Sequence, residues 1–425
     1  MKMLFNQTRA IHFMKEHNLD VLVATSPVNI TYFTDYYFWL DSAFKEYMSN
    51  PGGSSNRAQS FAAFPVAGEP ALVLGAQSAI NAADLRVDDL QVYGDPGLDY
   101  SLPCQSHSEL EKRFVNLLRE KPGHATATEA LISVLKSRGL GDARIGLEME
   151  GLPPATCEAL RHALPRASIK DSTNLIRLVR AVKTEEEIKR LVRSAEINEQ
   201  AAMESLALAR PGMSMADLVQ HYRLRSTQMG ANFEHYAFSI RGMGVCTEPN
   251  YILTSDDILF VDFGCIYAHY FSDSGTTLAM PIPSRNLRER YQALTACIHA
   301  GAEILRPGVK SSEIQAVMQE NLKMHGITAS FPHGHGLGLE IRDYPILVPK
   351  NGLRIRDDCL DVSSDLPIEE GMVNNLEACV FMPAVGAIQM ERSYIVTAKG
   401  SRPLIEQDRS EPRGPGFAES HGSGQ

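Results

Sequence analysis

Two aspartates in the C-terminal half stand where an ionised carboxylate is costly. Asp262 belongs to the apolar run VDFG (261–264), and Asp273 belongs to FSDSGTT (271–277), a short turn later. A carboxylate inside a buried strand must be paired or bound to a metal ion, because burying an isolated charge costs too much free energy. A hairpin of the two segments would bring both side chains together. Taken alone, however, such aspartates are more typical of polar surface turns.

Further candidate ligands follow along the chain. The glycine-rich run FPHGHGLGLEIRDYP carries His333 and His335, and imidazole is a common ligand of first-row metals. Glu377 lies inside the apolar segment NNLEACVF, and Glu391 lies inside IQMERSYIVT. Each histidine alone is at least as typical of a packed core or loop residue as of a ligand.

Four acids in apolar segments and one histidine together predict a single metal centre. Four carboxylates and one imidazole form an oxygen-rich set that suits two divalent ions, with manganese first and cobalt, zinc or iron as alternatives. Such a pair activates water and polarises a carbonyl, which is the chemistry of amide hydrolysis.

Strand and helix patterns divide the chain into two domains and a tail. Residues 1–178 alternate strand segments such as LDVLVATS with amphipathic helices, which predicts an α/β domain. Thr184 is the expected N-cap of a long helix near the start of a second domain, at 179–407. In that domain strands and helices segregate, which is an α+β pattern. Residues 408–425 are rich in Gly, Ser, Pro and charge and are expected to form a disordered tail.

Composition limits the partners. The 425 residues carry a formal net charge of -10, which opposes wide contact with nucleic acid or an anionic membrane, since both require a cationic surface. No segment reaches the roughly 18 apolar residues of a membrane span, and the N-terminal residues do not resemble a signal peptide. Seven scattered cysteines indicate reduced thiols in the cytoplasm. A small peptide or amino-acid-like substrate fits these properties better.

The order of the candidate ligands resembles a known family. Asp262, Asp273 eleven residues later, His335 in the setting GHGLGL, and then Glu377 and Glu391 are similar to the pattern of the pita-bread metallohydrolases. That family includes prolidases, aminopeptidases P and the metal-free creatinase. The segments RAVKTEEEIKRLVRSAEI and DVLVATSPVNITYFTDY resemble its entry helix and its creatinase-like N-terminal domain.

The resemblance implies a role for each of the five ligands. Asp262 binds one ion and His335 binds the other, Asp273 and Glu391 bridge the two, and Glu377 completes the shell and helps to activate water. The family also implies a homodimer. In such a dimer the aromatic segment 32–48 either shapes the partner's substrate pocket or, as is more common, packs in a core or interface.

The chain departs from the peptidases of this family just after the glycine-rich segment. Where those enzymes keep a His-Asp or His-Glu pair, whose histidine orients the substrate and stabilises the transition state, this chain has Arg342 followed by Asp343. Arginine stays protonated and cannot act as an acid or a base, but it can bind a carboxylate through two hydrogen bonds.

A second family histidine is missing before the first aspartate. The stretch GMGVCTEPNYILTSDD offers Thr247, Glu248 or Asn250 in its place. Gln389 stands where many proline-specific members carry arginine. His333 and His269 are the nearest histidines that could transfer a proton or stabilise an oxyanion, although simple packing is the more common role for such residues.

These observations predict a dinuclear-metal-dependent hydrolase of an amide or peptide bond, similar to an Xaa-Pro dipeptidase or aminopeptidase. The candidate catalytic residues are Glu377, His333 and Arg342. One alternative is a non-peptidase member that acts on a carbon–nitrogen bond of a small amino-acid-like metabolite, whose carboxylate Arg342 binds. Another is a non-catalytic binding homologue, although a pure scaffold has no physical reason to keep four buried carboxylates together.

Overall fold

The chain divides into two compact units. In this computed structural model, which describes residues 4–43, 45–48, 51–52, 60–85, 87–99, 101, 108–120 and 123–415, the first unit comprises residues 1–180 and 355–362. The second comprises residues 181–354 and those from 363 onward. The segment 355–362 falls within the second predicted domain but clusters with the first unit. The reason is local, because its Asp357 and Asp358 accept hydrogen bonds from the backbone N–H groups of Leu175 and Asp171.

The first unit is an α/β structure, as predicted. Its elements are α1 (Gln7–Glu16), β1 (Val21–Ala24), α2 (Pro27–Thr34), β2 (Phe61–Pro65), β3 (Ala71–Gly75), β4 (Asp89–Tyr93), α3 (Glu109–Glu120), α4 (Ala127–Ser137), β5 (Arg144–Leu147), α5 (Pro154–Ala163), β6 (Ser168–Asp171) and α6 (Thr173–Ala181). Its six-stranded sheet has the order β4-β3-β2-β1-β5-β6, in which β3–β4, β1–β5 and β5–β6 are parallel pairs and the other two are antiparallel.

The aromatic segment of this unit divides between core and surface. Tyr32 and Phe33 are buried, because helix α2 packs its rings against Phe5 and Phe64. Trp39 is 64% exposed, and Tyr37 and Tyr47 are also exposed. Phe44 of the same segment lies outside the described residues.

The second unit has the predicted α+β composition. Its elements are α7 (Glu185–Leu206), α8 (Met215–Gln228), β7 (Asn232–Phe238), β8 (Ile258–Tyr267), β9 (Tyr270–Ala279), α9 (Arg285–Ile304), α10 (Ser311–Met324), β10 (His333–Gly336), β11 (Asp343–Leu347), β14 (Val373–Met382), β15 (Gly386–Thr397) and β16 (Gly400–Pro403). The short strands β12 (Arg354–Arg356) and β13 (Asp361–Ser363) pair with each other and lie mostly in the segment 355–362 of the first unit. Thr184 caps α7 as predicted, in a reciprocal capping box with Glu187.

Two antiparallel sheets form the framework of this unit. One has the order β7-β8-β9 and packs against α7 and α8, and the other has the order β11-β10-β14-β15-β16 and packs against α9 and α10. The sheets meet where Thr277 of β9 bonds to Gln389 of β15: the Gln389 N–H donates to the Thr277 hydroxyl at 2.9 Å, and that hydroxyl donates to the Gln389 carbonyl at 3.1 Å. None of the helices within the described ranges combines the length and the apolar character of a membrane-spanning segment.

The prediction of a disordered tail from Asp408 is wrong for its first eight residues. Arg409 is only 3% exposed, and both of its terminal nitrogens lie 2.6 Å from the carboxylate of Glu199 on α7. The backbone of Arg413 continues along β9, donating to Thr277 and accepting from Ala279. A buried ion pair and backbone hydrogen bonds therefore order a segment whose composition is poor in apolar residues. Residues 416–425 lie outside the described part of the chain.

Candidate metal centre

The hairpin of β8 and β9 brings the two aspartates together, as predicted. Asp262 stands opposite Gly275, and Asp273 stands opposite Gly264, so the two carboxylates are diagonal neighbours on one face of the hairpin. The glycines keep that face open. A Cβ at Gly275 would lie 2.3 Å from the side-chain amide nitrogen of Gln389.

A row of side chains on the second sheet completes the cluster. His333 of β10 pairs with Glu377 of β14, which pairs in turn with Glu391 of β15. His335 lies two residues after His333 and therefore shares its face of the strand. The five predicted ligands come from five different segments and converge between the two sheets.

His335 has the orientation expected of a metal ligand. The residue is fully buried, and its Nδ1 lies 3.0 Å from the backbone carbonyl of Gly336, to which it donates. Its Nε2 has no hydrogen-bond partner among the described residues, and it lies 3.4 Å from Asp273 Oδ2 and 3.8 Å from Glu377 Oε1. A buried imidazole nitrogen with a free lone pair among carboxylates fits a cation, because one imidazole N–H commonly bonds to a carbonyl while the other nitrogen binds the metal.

The acids of the cluster repel one another. Burial raises the pKa of Asp262, and the charge of Asp273 raises it further. Burial also raises the pKa of Glu391 well above its usual range, with the charges of Asp262 and Asp273 adding to the effect. Two neutral amides donate to Glu391: Gln389 donates to its Oε2 at 2.8 Å, and Asn375 donates to its Oε1. A divalent cation would remove this repulsion.

Sequence reasoning missed one member of the cluster, His235 of β7. Its Nε2 lies 2.8 Å from Asp262 Oδ1 and 3.7 Å from Asp273 Oδ1, and its Nδ1 contacts the Glu234 carboxylate. Burial acts to lower the pKa of His235, but the hydrogen bonds to Asp262 and Glu234 raise it to about 11. The signal available in the sequence was the pair Glu234–His235 within NFEHYAFSI, one strand before VDFG.

The residues suggested for the missing histidine do not join the cluster. Thr247, Glu248 and Asn250 are exposed, and the hydroxyl of Thr247 bonds to its neighbour Glu248. His269 lies at the turn of the β8–β9 hairpin, four residues before Asp273, with a positive φ of 74°. None of these four residues therefore stands beside the acids in place of the missing histidine.

His333 and Arg342 meet Glu377 at the edge of the cluster. His333 Nε2 lies 2.6 Å from Glu377 Oε1, and Arg342 Nη2 lies 3.1 Å from the same oxygen. Burial acts to lower the pKa of His333, but the hydrogen bond and charge of Glu377 outweigh it and raise the pKa. Asp343 points away, into a buried pair with Lys183 at 3.4 Å. The three predicted catalytic residues therefore lie in mutual contact.

The ligand atoms are close enough to hold more than one ion. Three groups of side chains have ligand atoms within 4.8 Å of one another, and they share members: His235, Asp262 and Asp273; Asp273, His335 and Glu391; Asp262, Glu377 and Glu391. Asp262, Asp273 and Glu391 each belong to two of the groups, so the groups overlap in the way that a site for two neighbouring cations requires.

Sequence comparisons match both units. The sequence model of metallopeptidase family M24 matches residues 189–398, and that of the creatinase/prolidase N-terminal domain matches residues 7–182. The uncharacterized peptidase YqhT of Bacillus subtilis is 26% identical over 278 residues, which is 63% of this chain and 74% of that protein. The Xaa-Pro dipeptidase of Pyrococcus horikoshii is 25% identical over 274 residues, 62% of this chain and 74% of that protein.

Solved structures share the fold. The prolidase from Pyrococcus horikoshii OT3 superposes with a TM-score of 0.69 at 18% identity, over 95% of this chain and 98% of that structure. The X-Pro aminopeptidase from Thermotoga maritima gives a TM-score of 0.70 at 16% identity, over 96% and 99%. The prediction of a creatinase-like first domain followed by a pita-bread domain is confirmed.

Proposed function

The chain belongs to metallopeptidase family M24, and from that premise we propose that it is a dinuclear-metal-dependent hydrolase that cleaves the peptide bond of a small Xaa-Pro substrate. The observation that carries the proposal is the buried Nε2 of His335, which faces Asp273 and Glu377 and has no hydrogen-bond partner in the part of the chain that the structure describes. A scaffold gains nothing from such a nitrogen among repelling acids.

Five side chains would hold the ions: Asp262, Asp273, His335, Glu377 and Glu391. When bound, two divalent ions supply Lewis acidity to the scissile carbonyl and lower the pKa of water. Manganese is our first choice because carboxylate oxygens dominate this set, with cobalt, zinc or iron as alternatives.

Proton transfer, orientation of the attacking water and binding of the substrate carboxylate are assigned to Glu377 and its two neighbours, His333 and Arg342. His333 holds a proton at Nε2 against Glu377 Oε1, 2.6 Å away, and can pass it to the leaving nitrogen. Glu377 orients the attacking water through its carboxylate. Arg342 has 51% of its side chain exposed and binds the substrate carboxylate from the open side.

We further propose a cytoplasmic homodimer. The six cysteines that the structure describes are all free thiols, and free thiols are typical of proteins in the reducing cytoplasm. The dimer rests on the family resemblance, with the exposed aromatic residues Tyr37, Trp39 and Tyr47 as the first place to look for an interface.

Turnover of a panel of Xaa-Pro dipeptides by metal-stripped protein, with and without manganese, tests the activity. We expect manganese-dependent cleavage that falls at least about 1000-fold in Asp273→Ala, because that carboxylate would bridge both ions. Asp256→Ala removes a carboxylate from the exposed surface and serves as the matched control. Full activity of Asp273→Ala would refute the proposal.

A second candidate function follows from the position of Arg342. A guanidinium beside Glu377 suits a small amino-acid-like metabolite that presents a carboxylate next to the carbon–nitrogen bond to be cleaved. Bound manganese without cleavage of any dipeptide would favour this candidate, and the search would then turn to amidine, amide and lactam metabolites.

A further inference from the structure

We propose that His235 is a sixth protein ligand of the metal centre, bound through Nε2, with the Glu234 carboxylate holding its Nδ1–H. The inference rests on the proposed function only in requiring that the centre binds two ions. It assigns to β7, which contributes none of the five predicted ligands, a direct part in the site.

The first support is the position of His235 relative to Asp273. The two oxygens of Asp273 face different imidazoles: Oδ1 lies 3.7 Å from His235 Nε2, and Oδ2 lies 3.4 Å from His335 Nε2. His235 also lies 2.8 Å from Asp262, which faces the same side. A carboxylate that bridges two cations would thus have one imidazole next to each of them.

The second support is a β-bulge that orients the side chains. Phe233 pairs with Cys265 and His235 pairs with Gly264, so that Glu234 is an extra residue between the two pairs. Adjacent residues of a regular strand point to opposite faces, whereas a bulge allows two neighbours to share one. The bulge therefore lets the Glu234 carboxylate contact Nδ1 of His235 while Nε2 faces the acids. A carboxylate on the far nitrogen is the usual support of a ligating imidazole.

The third support is the space left by Gly264. A Cβ at this position would lie 2.5 Å from Cε1 of His235, 2.6 Å from its Nδ1 and 2.9 Å from Glu234 Oε2. The φ of Gly264 is not in the left-handed region, so its backbone does not require glycine. The imidazole and its carboxylate partner account for the missing side chain.

A sixth ligand changes the chemistry of the centre. Each ion would have one imidazole beside carboxylate oxygens, in place of a single imidazole for the pair. Because imidazole suits zinc, iron and cobalt better than it suits manganese, the ion beside Asp262 would accept a wider range of metals than an all-oxygen shell.

The test counts imidazoles directly. The full-length protein is stripped of metal, loaded with two equivalents of Co²⁺ and examined by proton NMR, in which the N–H of a cobalt-bound imidazole gives a strongly shifted, exchangeable signal. We expect two such signals in the wild-type protein, from His235 and His335. His235→Phe should lose one signal and weaken binding of the second Co²⁺ at least 10-fold in calorimetric titration.

Two further variants keep the test decisive. His235→Asn is smaller than the imidazole and is used if the Phe variant does not fold, as judged by circular dichroism. Gly264→Ala should displace the ring and lower the Co²⁺ affinity in the same way, whereas Gly352→Ala, whose Cβ would meet no atom of the described residues within 4 Å, should not.

The outcomes separate this inference from the proposed function. One shifted signal in the wild-type protein, retained in His235→Phe with unchanged affinity, would overturn the sixth ligand while leaving a metal-dependent hydrolase in place. No Co²⁺ binding by the wild-type protein would remove the metal centre itself, and the sixth ligand with it.

Discussion

Arg342 places a guanidinium at the open edge of the acidic cluster, 3.1 Å from Glu377 Oε1 and accessible to substrate. Arg342→Met should raise KM for Xaa-Pro dipeptides about 10- to 100-fold, because a hydrogen bond to a charged group contributes roughly 1.5–3 kcal/mol. kcat should change much less. Initial-rate kinetics with a dipeptide and its C-terminal amide measure the effect, which should be small for the amide.

The control for this prediction is Arg288→Met, which removes an exposed guanidinium from helix α9. A loss of the same size for the dipeptide and its amide would show that Arg342 acts on Glu377 or His333 and not on the substrate carboxylate.

At the level of single residues, the sequence was sufficient to identify the candidate ligands that stand alone in apolar strands. Asp262, Glu377 and Glu391 are visible because a charge there is costly. His235 was missed because its position depends on a β-bulge and on the pairing of β7 with β8. Neither feature can be predicted from the neighbouring residues in the sequence. Likewise, the sequence does not indicate which of the two neighbours Arg342 and Asp343 faces the cluster.

Glu187 lies at the start of helix α7, and its protonation makes the stability of the protein depend on pH. Its carboxylate accepts from the backbone of Thr184 at 2.8 Å and from the hydroxyl of Tyr270 at 3.1 Å, and burial raises its pKa to about 7. The folded pKa lies above the unfolded value near 4.5. Its contribution to the free energy of unfolding is therefore fully present below pH 4.5 and is lost as the pH rises through 7.

Glu187→Gln removes this titration and keeps a residue that suits the capping box. The variant should match the wild type near pH 5 and be more stable at pH 8, by up to about 3 kcal/mol. Urea unfolding of metal-stripped protein at several pH values measures the difference. Glu186→Gln, whose carboxylate is exposed, is the control and should show no such divergence. A pH-independent difference for Glu187→Gln would contradict the assignment.

At the level of elements, local patterns were sufficient for most helices and strands. The capping residue Thr184, the strands β2 and β3 around their turn, and the β8–β9 hairpin all follow from periodicity and turn chemistry. The order of the strands does not, because β10, β14 and β15 become neighbours only through contacts distant in sequence. The row His333–Glu377–Glu391 exists only in that register.

At the scale of the whole molecule, amino-acid composition gave a wrong prediction of disorder for residues 408–415. Few apolar residues follow Asp408, and a low apolar content usually indicates disorder. Polar groups order residues 408–415 instead: Gln407 and Arg409 both bond to Glu199, and Ser274 of β9 accepts from Gln407 at 3.1 Å. These contacts join residues 133 to 210 positions apart, which no local window contains.

The Arg409–Glu199 pair should therefore contribute to the stability of the second unit. The side chain of Arg409 is 1% exposed and that of Glu199 is 15% exposed, so Arg409→Met leaves a largely buried carboxylate without its counter-charge. We expect the free energy of unfolding to fall by about 3 kcal/mol, measured by urea denaturation. Arg402→Met, on the surface, should have little effect.

The double variant Arg409→Met/Glu199→Met should recover most of the loss, because the unpaired charge is gone. If Arg409→Met unfolds at the same urea concentration as Arg402→Met, the C-terminal segment lies on the unit without stabilising it.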